Sequence, residues 1–209
     1  MRLPLLIVLF YTLIDFATAK SFLPRSFNAD IEQQTKSVIK LKKGNKEIIK
    51  KYDVVVKYLF PSNVYLKVED STYVCNKNKT WLYTPPVIEG EKGEVKIGSS
   101  SKYCYAKLFD ALSNGLSNNK IYTTKKSKNT ATLSFSTKAQ DQLQMTKVEL
   151  LFDKLNKKSQ FSDIKEMKMF KVGEKNPTVF VFKSLNRKVK LKASDFEFQV
   201  PKNTNINNW

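Results

Sequence analysis

The side chains that usually carry chemistry are scarce in this chain. There is no histidine, which removes the commonest general base and the commonest metal ligand at once. The two cysteines, Cys75 and Cys104, cannot complete a zinc site of ordinary spacing without histidine. No serine sits in a Gly-x-Ser-x-Gly elbow, and the six glycines are too scattered to cradle a phosphate. No pair of carboxylates can be placed as acid and base. The expectation is a protein that is not an enzyme, with no catalytic residues, no metal and no cofactor. An exported enzyme with an uncommon site is the alternative of a different class.

Charge points to binding. Lysine and arginine outnumber the acids by 37 to 19, for a formal net charge of +18. Such a balance suits an anionic partner: nucleic acid, lipid headgroups or an acidic protein. The plainer reading is a solvated, lysine-rich surface, and the abundance of Asn, Lys, Ile and Phe agrees with it. The lysine clusters at Lys40 to Lys51 and Lys125 to Lys128 are the candidates for docking.

The amino terminus sets the compartment. Arg2 gives a short basic start, Leu3 to Phe16 is apolar apart from Pro4, Thr12 and Asp15, and Ala17-Thr18-Ala19 has small-x-small cleavage chemistry. Residues 1–19 read as a signal peptide, leaving 20–209 as one domain. A membrane anchor is the competing reading. The run is short for a span, and Asp15 would be costly at depth. Export makes nucleic acid an unexpected target and permits a Cys75–Cys104 disulfide. The Cα separation that such a bond needs is not legible in the sequence.

The elements that would position a site are mostly strands. Phe27, Ala29 and Ile31 alternate with Asn28, Asp30 and Glu32, and Val38, Ile39 and Leu41 continue toward a turn at Lys43-Gly44-Asn45. Val54, Val56, Tyr58 and Phe60 share one face of the next run, followed by Val64, Leu66 and Val68. Trp81, Leu82 and Tyr83 form a short strand ended by Pro85-Pro86, because proline lacks the ladder N–H. Val87 to Gly98 reads as a loop. Leu108, Phe109, Ala111, Leu112 and Leu116 recur at helical spacing, with Ser99 to Ser101 as a cap and Asn114-Gly115 as a break. Strand patterns resume from Thr130 and extend through Val148 to Phe152, Ile164 to Val172 (with Met167 and Met169) and Val179 to Phe182. Val189 to Val200 reads as further strand, and the tail Asn203 to Trp209 reads as loose. This pattern predicts a mainly β fold. A long antiparallel sheet curls, leaves a concave apolar face, and is covered there by the helix.

Four motifs in order carry a family resemblance. Phe27-x-Ala29-x-Ile31-x-Gln33 is similar to the opening Phe-x-Ala-x-Phe-x-Gln of LolA, the periplasmic carrier of outer-membrane lipoproteins. Phe60-Pro61-Ser62-Asn63-Val64-Tyr65-Leu66 resembles that family's Arg-Pro strand. Lys77 to Pro85 resembles its Asp-Gly-Lys-x-x-Trp-x-Tyr-x-Pro turn and strand, and Phe196-Glu197-Phe198-Gln199-Val200-Pro201 its closing Phe-x-Phe-x-x-Pro.

The resemblance implies an open antiparallel half-barrel, an incomplete curved sheet with short helices as a lid. Lipoprotein acyl chains would lie in the apolar cavity between sheet and lid. The partners it implies are acylated lipoproteins, an inner-membrane exporter, and an outer-membrane receptor or the outer membrane itself. The carrier would be a periplasmic monomer. The candidate cavity residues are Ile31, Val54, Val56, Tyr58, Phe60, Val64, Leu66, Trp81, Tyr83, Leu108, Phe109 and Leu112, each of which could equally be ordinary core. Two departures stand out. Phe60 replaces the family's lid arginine, so closure there is expected to rest on packing alone. Lys20 to Ser26 leave little room for an N-terminal lid helix, so the lid is expected mainly at Tyr103 to Leu116. A related periplasmic lipid-binding or sensor protein on the same fold is the alternative function.

Overall fold

The computed structural model describes residues 22–41 and 44–209; the expected signal peptide, 1–19, lies outside them. The first strand, β1 (Ser26–Leu41), folds back on β2 (Gly44–Leu59) in a hairpin paired along its whole length. The chain then meanders through β3 (Asn63–Val68), β4 (Ser71–Cys75), β5 (Lys79–Thr84) and β6 (Gly93–Ser99). Two short helices follow, α1 (Ser100–Tyr103) and α2 (Ala106–Leu112). Next come β7 (Tyr122–Lys126), β8 (Thr130–Phe135), α3 (Thr137–Leu143), β9 (Met145–Phe152), β10 (Ile164–Lys171), β11 (Thr178–Asn186) and β12 (Thr204–Asn208).

All twelve strands join one sheet in the order β12-β6-β5-β4-β3-β2-β1-β11-β10-β9-β8-β7. The two ends of that order do not pair with each other, so the sheet stays open. Every pairing is antiparallel except β12 on β6. The mainly β, open half-barrel with a helical cover is what the strand periodicity and the family resemblance led one to expect.

Alternation decides which side chains face inward. Ile31, Val54 and Val68 lie in one cross-strand row of β1, β2 and β3 and share the concave face with Val56, Leu66, Tyr58 and Val64. The helices cover that face. Leu108, Phe109, Ala111 and Leu112 of α2 are buried against it, and α3 adds Ala139 and Leu143. At one end, Phe27, Tyr58, Phe109 and Phe161 stack with ring centroids 5.2–5.6 Å apart for the pairs Tyr58–Phe109, Phe27–Phe161, Phe27–Tyr58 and Phe27–Phe109. Phe22 and Leu23 are buried beside them.

Three local expectations are corrected, and one helix is added. Residues 93–99, read as loop, form β6: the ladder to β5 holds a segment whose glycines and lysine argue against a strand. The tail, read as loose, is β12, held in parallel register on β6 from Thr204↔Gly93 to Asn208↔Ile97. The segment from Val189 to Val200, read as strand, has a 3-10 turn at Ala193–Phe196 and no strand. Finally, α3 is a helix that the sequence pattern does not announce, because Ala139 and Leu143 are its only buried apolar positions and make too narrow a stripe.

The segment after β11 crosses the outer face of the sheet. The Ser26 hydroxyl donates to the Val189 carbonyl (3.1 Å), and the Asn76 amide donates to the Phe196 carbonyl (3.2 Å). Phe198 stacks on Tyr83 at 5.5 Å. Phe196, Val74 and Val95 are buried there, separate from the concave-side core.

Candidate functional site: a lidded apolar cavity

A cavity of about 400 Å³ lies between the concave face and the helices. The sheet contributes Ile31, Val54, Val56, Leu66, Val68, Tyr73, Leu82, Met167, Met169 and Phe180, and the lid contributes Tyr105, Leu108, Phe109 and Leu143. Its polar lining residues gather toward one rim: Ser71, Gln144, Lys171 and Thr178 at strand ends, Gln33 on β1 where the neighbouring ladders stop, and Gln142 on α3. The aromatic stack of Phe27, Tyr58, Phe109 and Phe161 fills the opposite end. The cavity therefore has a mouth at the polar rim and an aromatic floor. The exposed rings of Tyr105 and Trp209 belong to its lining.

The structure brings six of the twelve predicted residues to this cavity: Ile31, Val54, Val56, Leu66, Leu108 and Phe109. Tyr58, Val64 and Leu112 lie on the same side, fully buried in the core outside the cavity lining. Phe60 lies outside the cavity lining: its N–H donates to the Arg25 carbonyl (2.7 Å) and its ring lies under the Arg25 guanidinium, 5.6 Å from the centroid. Trp81 and Tyr83 are placed on the outer face. Their register partners are Val74, Ile97, Thr72 and Val95, whereas Leu82 pairs with Tyr73 and lines the cavity. Size misled here. Two large aromatics suggest an inward face, but the C-terminal segment supplies a second apolar layer on the outside.

The lid is fastened to the sheet by hydrogen bonds as well as by packing. Asp110, on α2, accepts hydrogen bonds at Oδ1 from the Tyr58 hydroxyl (2.7 Å) and the Ser62 N–H (3.2 Å), and at Oδ2 from the Ser62 hydroxyl (3.0 Å). Closure is thus hydrogen-bonded, through a carboxylate on the lid instead of an arginine on the strand. This corrects the expectation of closure by packing alone. Burial, reinforced by the Asp110 carboxylate, pushes the Tyr58 hydroxyl well above the ordinary tyrosine range. Cys75 on β4 is bonded to Cys104, in the link between α1 and α2, with Cα atoms 5.7 Å apart, inside the range a disulfide needs. The Tyr105 N–H donates to the Tyr73 hydroxyl (3.0 Å), and the Tyr122 hydroxyl donates to the Ala111 carbonyl (3.1 Å). Burial raises the Tyr73 and Tyr122 hydroxyls as well.

The candidate cavity set from sequence left out the lining from β10, β11 and α3. Met167 and Met169 of β10 line the cavity, where a flexible thioether suits ligands of varied shape. Asp110 carried no signal, because a lone aspartate on a helix is ordinary surface chemistry.

No protein-family model matches the chain, and no curated protein matches it. Among solved structures, the chain is similar to an uncharacterized conserved protein from Thermus thermophilus (TM-score 0.47, 8% identity, covering 91% of this chain and 94% of that one). It is also similar to a LolA superfamily protein from Nitrosomonas europaea (TM-score 0.46, 10% identity, covering 86% and 94%). At these identities the likeness says nothing about ligand.

Proposed function

We propose that this chain is an acyl-chain carrier of the LolA type. It takes the lipid chains of acylated lipoproteins into its cavity and moves them across the periplasm, from an inner-membrane exporter to a receptor at the outer membrane or to that membrane itself. No bond is made or broken. The observation that carries this reading is the cavity itself: aliphatic and aromatic walls, polar groups only at the mouth, and a floor of stacked rings. Such a lining rewards apolar surface, at about 0.8 kcal/mol per methylene buried, without directional bonds that would oppose release. A methylene is about the size of a water molecule, whose share of liquid volume is about 30 Å³, so the cavity as it stands holds on the order of a dozen methylenes. That is one chain. Cargo with more chains requires the lid to move, and α3, with two buried side chains, is the element to move.

The test is displacement of a fluorescent fatty acid by palmitate, followed by extraction of acylated lipoprotein from isolated inner membranes. Saturable binding and extraction into the soluble fraction are expected; failure in both assays overturns the proposal. Leu82→Asp should weaken probe binding by at least ~10-fold, because a carboxylate in an apolar wall costs more than one unit of RT ln 10. Trp81→Ala, on the outer face one residue away, should leave affinity unchanged. Equal effects of the two substitutions would mean that the probe binds elsewhere.

A further inference from the structure

The β1–β2 hairpin outruns its neighbours. Pairing of β1 with β11 ends at Gln34↔Val179, and pairing of β2 with β3 ends at Val54↔Val68. The seven residue pairs from Thr35↔Lys50 to Leu41↔Gly44 therefore form a two-stranded ribbon with no strand on either side among the described residues. At about 3.3 Å per residue the ribbon projects about 23 Å beyond the sheet. It leaves from the rim that holds the cavity mouth: Gln33, a mouth residue, is two residues before it. By register, Ile48 and Lys50 continue the face that lines the cavity.

Residues 35–51 hold seven lysines and one carboxylate, Glu47. Lys46 and Lys50 are exposed, and Ile49 is 59% exposed. The same rim presents more bare aliphatic tips, Val87 and Ile88 between β5 and β6 and Val172 after β10. We infer that the ribbon is a docking arm for an anionic lipid bilayer, and that it brings the cavity mouth to the membrane.

Charge complementarity selects an anionic surface. The ribbon has no arginine to fork onto discrete phosphates and no aromatic ring below Tyr52 to stack on bases; lysine point charges among aliphatics suit a diffuse headgroup layer. The choice of lipid over another anion rests on the acyl-carrier reading of the cavity. The rim is less basic than the ribbon, with Glu69, Asp70, Glu89, Glu91 and Glu174 in its turns. A reach of about 23 Å exceeds the screening length of about 8 Å at physiological salt, so these acids do not oppose first contact by the arm. The lysines also protect two unpaired strand edges from other strands. That role explains charge on the ribbon, but not why a bare ribbon extends past the fold.

The experiment is flotation of the full chain with vesicles of equal parts phosphatidylglycerol and phosphatidylcholine, against phosphatidylcholine alone, at low and high salt. Binding only to the anionic vesicles, weakened steeply by salt, is expected. The double variant Lys46→Glu/Lys50→Glu should partition at least ~100-fold less, because it changes four charges at the surface. Its fatty-acid binding should be unchanged, which shows that it folds. Equal binding to neutral vesicles, or equal binding by the variant, overturns the inference. So does a wild-type dimer that the variant dissolves and that ignores vesicles, since the arm would then serve a second copy. If flotation behaves as expected but no fatty acid binds, the arm stands and the carrier reading falls; fatty-acid binding without flotation gives the reverse.

Discussion

Replacing both Cys75 and Cys104 with alanine should lower the unfolding free energy by about 3.5 kcal/mol, measured by urea denaturation. The bridge spans 29 residues, and closing a loop of that length in the unfolded chain accounts for a value of this size in the chain-entropy description. Alanine suits both sites, because each is buried and a serine hydroxyl would need a partner. The bond ties β4 to the link that leads into the lid helix α2, so the double variant should also release bound fatty acid faster. A stability loss below about 1 kcal/mol would mean that the reduced, unfolded chain already holds these segments together.

Asp110→Ala should cost about 3 kcal/mol. It strands the Tyr58 hydroxyl, which is fully buried, and removes the acceptor of both Ser62 groups. Tyr58→Phe removes one donor and leaves no buried group orphaned, so it should cost about 1 kcal/mol. The double variant should cost less than the two added together, and strict additivity would show that the pair does not hold the lid.

The pair also sets an alkaline limit. In the folded state, burial and the neighbouring carboxylate raise the Tyr58 pKa; in the unfolded chain the hydroxyl ionises near pH 10. A raised folded-state pKa contributes stability that is complete below pH 10 and is lost as pH climbs above it. The fall in stability above pH 10 should be shallower in Tyr58→Phe, with Tyr73 and Tyr122 accounting for part of the remaining slope.

What was legible in the sequence followed from periodicity. Val54, Val56 and Leu66 alternate with polar or outward residues, and the structure puts all three in the cavity wall. Leu108 and Phe109 sit on the apolar stripe of α2 and reach the same space. Parity says which residues share a face but not which face curves inward, so it cannot keep Trp81 and Tyr83 off the concave side, where size alone would put them. Their true environment depends on Phe198, which is more than a hundred residues away in sequence. The tail strand β12, TNINN, has no β pattern of its own, and its ladder to β6 supplies the order. Asp110 was invisible for a similar reason: its partners lie on β2 and in the turn that follows it.

The aromatic floor has a consequence for handover. With Phe27, Tyr58, Phe109 and Phe161 sealing one end, the cavity is closed there and its polar rim lies at the other end. A lipid that used the polar mouth for both entry and exit would go in tail first and come out head first. On the proposed carrier reading, a donor and an acceptor that both use the polar mouth would meet the same face of the molecule, one after the other and never together. If the chain is the acyl-chain carrier we propose, transport is a relay: it lets go of one station before it reaches the next.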